Sequence, residues 1–115
     1  MEAFSDSEQL LFGNGYNNGF VLNNTNKMSS PAAQLYSSIY GRKMELYTDA
    51  PSCVLYSGGY IGENHILKKE VISTDHCGIA LEAQDYPNAP NHSGFSYSIL
   101  KKDMLYERTI QFCFS

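Results

Sequence analysis

Short apolar and aromatic runs alternate along this chain with clusters of Gly, Asn, Ser and Pro. That spacing predicts an all-β architecture, because amphipathic helices would instead repeat every 3.6 residues. The predicted strands are residues 20–22, 33–40, 43–48, 53–56, 79–84, 97–100 and 105–114. Within 43–48, Met44, Leu46 and Thr48 fall on one face and Lys43, Glu45 and Tyr47 on the other. Near the C-terminus Ile110, Phe112 and Phe114 alternate with Thr109, Gln111 and Cys113, which predicts a half-buried strand with a strongly apolar face. Tyr40-Gly41-Arg42-Lys43 reads as a tight turn that joins 33–40 to 43–48 as a hairpin. Residues 23–31 read as a polar connection, and 57–65, with its glycines, as a loop or bulge. The stretch 66–73 has no clear period, and little helix is expected anywhere.

Composition narrows the picture. A chain of 115 residues allows one domain, and 43% hydrophobic content is enough for a core. With 8 basic against 12 acidic residues and a net charge of −4, the chain lacks the clustered cations that phosphate binding needs, so nucleic acid is excluded as a partner. The doublets Lys68-Lys69 and Lys101-Lys102 read as solvated faces or edge protection. No apolar run approaches the roughly 20 residues that span a bilayer. Residues 1–8 combine no basic segment with an apolar one, so neither a membrane partner nor a signal peptide is expected. Cys53, Cys77 and Cys113 fit neither a disulfide framework nor a zinc site. Each lies in or beside a strand-like run and reads as a small buried thiol, and reduced thiols point to the cytoplasm.

The chemistry concentrates in one stretch. Gly78-Ile79-Ala80-Leu81 leads into Glu82-Ala83-Gln84-Asp85-Tyr86-Pro87-Asn88-Ala89-Pro90-Asn91-His92, an apolar strand that opens onto a polar, proline-punctuated loop. Strand alternation puts Leu81 and Ala83 on one face and Glu82 and Gln84 on the other. A carboxylate held there, beside an amide, can serve as a fixed proton acceptor. The plainer reading of Glu82 is a surface carboxylate on the solvent side of an edge strand.

The stretch Leu81–His92 resembles the Leu-Glu-Thr-Gln…Pro-Asp-Ala-Pro-Asn-His segment of the aldose 1-epimerases, the galactose mutarotase family. Gly15-Tyr16-Asn17-Asn18-Gly19-Phe20-Val21-Leu22 is similar to that family's Gly-Tyr-Asp-His-Asn-Phe-Val-Leu. Gly41-Arg42-Lys43-Met44-Glu45-Leu46-Tyr47-Thr48-Asp49-Ala50-Pro51 resembles its Gly-Arg-x-Met-Glu-Val-x-Thr-x-x-Pro. Val54-Leu55-Tyr56-Ser57-Gly58-Gly59 falls where the family has Gln-Phe-Tyr-Thr-Gly-Asn, and residues 100–106 resemble its closing Leu-x-Pro-Gly-x-x-Tyr. The blocks keep the family's order across nearly the whole chain.

The resemblance implies a galactose-mutarotase-like β-sandwich (a supersandwich), with residues 1–115 as the C-terminal portion of one such domain and the N-terminal part absent. It implies interconversion of the α and β anomers of a hexose such as galactose or glucose, with no cofactor and no metal. Glu82 stands at the general base. Asn17 stands where the family has a sugar-binding aspartate, and Val54 where it has a sugar-binding glutamine. The family's acid histidine and a second, sugar-binding histidine lie upstream of the matched segment. His65 reads instead as solvated, and His76 and His92 as loop supports. The isolated chain is therefore expected to be inactive, and an N-terminal mutarotase fragment is the partner that would complete it. A non-catalytic sugar-binding module and a truncated remnant are the alternatives.

Overall fold

The computed structural model describes residues 7–23, 28–63 and 65–115; positions 24–27 of the expected connection, residues 1–6 and the loop position Asn64 lie outside the described residues. Among those described, the chain is all-β: one five-residue helix, α1 (Glu8–Phe12), accompanies strands β1 (Asn17–Val21), β2 (Ala33–Tyr36), β3 (Lys43–Thr48), β4 (Ser52–Tyr56), β5 (Ala80–Gln84) and β6 (Ile110–Phe114). They form two sheets of three strands, in the orders β1-β4-β5 and β2-β3-β6. The chain divides into two compact units, Met1–Gly19 with Val54–Glu82 and Phe20–Cys53 with Ala83–Ser115.

The second unit contains the sheet β2-β3-β6. Its register pairs Leu35 with Met44 and Ala33 with Leu46 on one side, and Met44 with Phe114, Leu46 with Phe112 and Thr48 with Ile110 on the other. Directly opposed residues of antiparallel strands share a face. The alternation in β3 is realised over its second half: Leu46 and Thr48 are fully buried and Tyr47 between them is partly open, while Lys43, Met44 and Glu45 are all partly open. The buried Thr48 hydroxyl donates to the Thr109 carbonyl at 2.8 Å and accepts from the Ala50 amide at 3.1 Å, which removes the cost of burying it. Asp49 accepts from the Thr109 amide at 3.0 Å, so the exit of β3 and the entry to β6 are tied together.

Several expected elements differ. The strand 33–40 ends at Tyr36, and the hairpin turns through the longer loop 37–42. That loop is closed by Ser37 N–H to the Arg42 carbonyl and Gly41 N–H to the Ser37 carbonyl, with Gly41 at φ +65°. Glycine takes that left-handed angle without steric cost. The strand 105–114 begins only at Ile110, and 97–100 is not a strand. Alternation makes a chain extended, but a strand also needs a neighbour to complete its hydrogen bonds, and residues 97–100 pair with none among those described. The apolar face of β6 is open rather than half-buried, with Phe114 at 75% exposure. The unclear stretch 66–73 holds a 3-10 turn at Lys68–Glu70 closed by an Ile66–Ile72 bridge.

None of the cysteines forms a disulfide: Cys53 is buried in β4 and Cys113 is half-buried in β6. Cys77 departs from the expected buried thiol, because it lies exposed in the turn before β5. In the native chain a thiol reagent should modify Cys77 first and reach Cys53 only on unfolding, with three thiols counted in denaturant. A native count led by Cys53 would contradict the placement of β4.

Beyond β5, Asp85 anchors the return of the chain. It accepts the Ser98 amide at 2.8 Å and a guanidinium N–H of Arg108 at 2.8 Å. Arg108 also lies 3.7 Å from Asp49 and over the Tyr106 ring, 5.7 Å from its centroid, within cation–π range. The Ser98 amide first, and Arg108 beside it, hold the Asp85 carboxyl below its ordinary value against the opposing effect of burial. A depressed folded-state value contributes stability above the unfolded value of about 3.9, and that contribution is lost as pH falls through the folded value. The urea midpoint should therefore drop on acidification below about pH 4, and drop less steeply in Asp85→Asn. Parallel acid profiles for the two proteins would show that this anchor contributes nothing.

Candidate functional site

Glu82 and Asn17 both belong to the first unit and to the sheet β1-β4-β5, where β4 lies between their strands. Glu82 sits in the middle of β5 and is exposed, while Leu81 and Ala83 beside it are partly buried. Glu82 is thus the exposed residue of β5, with the strand's other four residues partly buried around it. Asn17 opens β1 and is also exposed. The sequence expectation that Glu82 rides on a strand, outside the apolar core, agrees with this placement. Glu82 and Asn17 occupy the two outer strands of that sheet, which are not hydrogen-bonded neighbours.

The start of β1 is held in place by local bonds. The Tyr16 amide donates to the Ser57 hydroxyl at 2.8 Å, and the Ser57 amide donates to the Tyr16 carbonyl at 2.8 Å. Those bonds fasten the residue before Asn17 to the end of β4. The Asn17 amide donates to the Asn18 side chain at 3.2 Å, and Asn18 in turn donates to Gln9 of α1 at 3.1 Å. Gly15 turns the chain into β1 at φ +113°, and a Cβ there would run into the Ser57 hydroxyl. Glycine is the residue that both the angle and the close approach allow.

The loop after β4 is fixed by a second group of polar contacts. Asn14 donates to the Gly59 carbonyl at 2.6 Å, and Asp75 accepts the Gly62 amide at 2.8 Å. Buried Ser73 donates to the Gly62 carbonyl at 2.8 Å and accepts the His65 amide at 3.2 Å. His76 bonds the Ser57 carbonyl through Nδ1 at 3.0 Å; a carbonyl only accepts, so Nδ1 carries the proton. His76 therefore props the same loop that holds Tyr16. His65 is exposed, and His92 lies 3.4 Å from the Asn88 amide and against the Phe95 ring at 5.2 Å. Sequence reasoning singled out neither Ser57 nor Asp75. The Gly58-Gly59 pair was the only signal of a close approach there, and it does not say which side chain closes it.

Val54 is buried in β4 at 9% exposure, on the strand next to that of Glu82. An isopropyl group makes no hydrogen bond to a sugar hydroxyl. What the sheet offers chemically is one exposed carboxylate that can accept a proton and, on a neighbouring part of the same sheet, one exposed amide that can donate and accept.

Comparison with known proteins places these residues in context. Residues 2–113 match the family model described as Aldose 1-epimerase. The chain is 31% identical to galactose mutarotase of Sus scrofa over 102 residues, which are 89% of this chain and 30% of that protein. It is 29% identical to galactose mutarotase of Homo sapiens over the same length and shares. It is 32% identical over 91 residues to aldose 1-epimerase of Escherichia coli K12, covering 79% of this chain and 26% of that one. The match therefore covers under a third of the length of these curated relatives.

Proposed function

This chain belongs to the aldose 1-epimerase family, and from that premise we propose that it is the base-bearing C-terminal segment of a mutarotase. In this reading Glu82 takes the proton from the C1 hydroxyl of a hexose while an acid protonates the ring oxygen. The C1–ring oxygen bond breaks, the free aldehyde rotates, and the ring closes on its other face with Glu82 returning the proton. The acid is a histidine of an N-terminal mutarotase segment that completes the site, and galactose or glucose is the substrate. Asn17 binds a sugar hydroxyl as a neutral donor and acceptor, where a carboxylate would bind about twice as strongly. The single observation that supports this most is the placement of Glu82, exposed on β5 within a chain matched to the family over residues 2–113. Cytoplasmic residence goes with the three thiols; among the described residues no helix is long and apolar enough to cross a membrane.

A non-catalytic sugar-binding module or a truncated remnant is the second reading, and Val54 favours it, because an apolar residue stands where the resemblance calls for an amide. Labelling separates the two sugar-directed readings from the remnant, and polarimetry of the same pair separates catalysis from binding alone. With the chain isotope-labelled and paired with the N-terminal portion of pig galactose mutarotase, added galactose should shift the amide resonances around Glu82 and Asn17. Shifts confined to other strands, or none at millimolar galactose, would overturn both sugar-directed readings.

A further inference from the structure

The apolar face of the sheet β2-β3-β6 is covered over one strand and bare over the next. Leu46 and Thr48 of β3 are fully buried, yet their register partners Phe112 and Ile110 on β6 are 43% and 47% exposed, and Phe114, opposite Met44, is 75% exposed. These side chains form one continuous surface with the small core of the second unit, so whatever covers β3 stops short of β6. Strand β6 is also the edge of its sheet. Lys43 and Ser115 exchange both backbone bonds, at 2.6 and 3.0 Å. Antiparallel pairs alternate between bonded and non-bonded, so the amides of Gln111, Cys113 and Ser115 face β3. Those of Ile110, Phe112 and Phe114 therefore point to the open edge. Residues 110–115 carry no charge and no proline, the devices with which monomeric proteins protect a free edge.

We propose that this edge and its apolar face are the docking surface for the N-terminal portion of the mutarotase fold, which adds a strand to β6 and covers Ile110, Phe112 and Phe114. The proposal rests on the reading of the chain as a C-terminal mutarotase segment. The relatives carry the matched segment as 30% or less of one longer chain, so some face of this segment meets the remainder of that fold. An uncovered apolar surface contiguous with the buried core, beside an unpaired uncharged strand edge, fits that contact. Strand addition supplies main-chain hydrogen bonds, and the exposed aromatic face supplies the apolar area.

The test is residue-resolved hydrogen exchange on the 115-residue chain, alone and co-expressed with the portion of pig galactose mutarotase that precedes the matched segment. The pig protein's own C-terminal segment serves as the positive control for capture. In the chain alone, the amides of Ile110, Phe112 and Phe114 should exchange more than ~10-fold faster than those of Gln111 and Cys113 at every concentration, as open-edge amides do. Co-purification with the pig portion should bring all five to similar slow rates. Phe114→Lys and Ile110→Lys should each abolish co-purification while Gln111 and Cys113 stay protected, which shows that the sheet still folds. Tyr36→Lys, on the opposite face of the sheet, should leave co-purification intact. Absence of co-purification while the pig control is captured would overturn the proposal. So would edge protection that rises with concentration in the chain alone, since a second copy would then be the occupant. Polarimetry on the same samples keeps the two readings apart: docking without anomerisation leaves the surface standing and removes the catalytic reading.

Discussion

Glu82→Gln will cost the reconstituted enzyme about 10²–10⁴-fold in the rate of galactose anomerisation, the range typical of losing a positioned general base. The amide has the size of the carboxylate but cannot take the C1 hydroxyl proton, so substrate geometry survives while proton transfer does not. Because Glu82 is exposed on β5, the substitution should leave the unfolding midpoint within about 0.5 kcal/mol of the parent. That combination separates chemistry from folding. Loss of rate accompanied by a large fall in stability would mean that Glu82 supports the sheet instead, and an unchanged rate would remove it from the site. Asn17→Ala should act differently, weakening KM by the value of one hydrogen bond, about 0.5–1.5 kcal/mol, with a smaller effect on kcat.

Leu46→Ala carries the largest expected effect on stability. Leu46 is fully buried at the centre of β3, between Ala33 of β2 and Phe112 of β6. Truncating it removes a side chain from the core and leaves a cavity, at a cost of about 2–5 kcal/mol. Against a total stability of roughly 5–15 kcal/mol for an ordinary domain, that is a large fraction. The described core is small, with Leu46, Ala50, Cys53, Val54 and Ala89 as its buried apolar residues, so few neighbours remain to collapse into the space. Urea denaturation should show the drop, while Leu105→Ala, at 82% exposure, should change the midpoint little. Equal effects of the two substitutions would place the core elsewhere.

Much of this was legible in the residues. Alternation alone defines β3, and the apolar approach Gly78-Ile79-Ala80-Leu81 followed by a polar loop defines β5 with Glu82 facing out. Both signals are local, and burial on one face enforces them. The helix α1 escaped notice although Ser7, Glu8 and Gly13 mark its ends, because five residues carry too little period to stand out. Strand-like alternation at 97–100 misled for the opposite reason: pairing depends on a neighbour that sequence does not name. The ties of Tyr16 to Ser57 and of Asp85 to Ser98 and Arg108 join residues far apart in the chain. No spacing rule predicts them, and they explain how the chain entering β1 and leaving β5 is held.

Polarimetry of freshly dissolved α-galactose, with the isolated chain and with the chain paired to the N-terminal mutarotase portion, tests the central claim most directly. The account predicts the spontaneous rate for the isolated chain, because the proposed acid histidine belongs to the N-terminal portion, and a faster, Glu82-dependent rate for the pair. Rapid anomerisation by the isolated chain that disappears in Glu82→Gln would show that the 115 residues hold a complete site and would contradict the account.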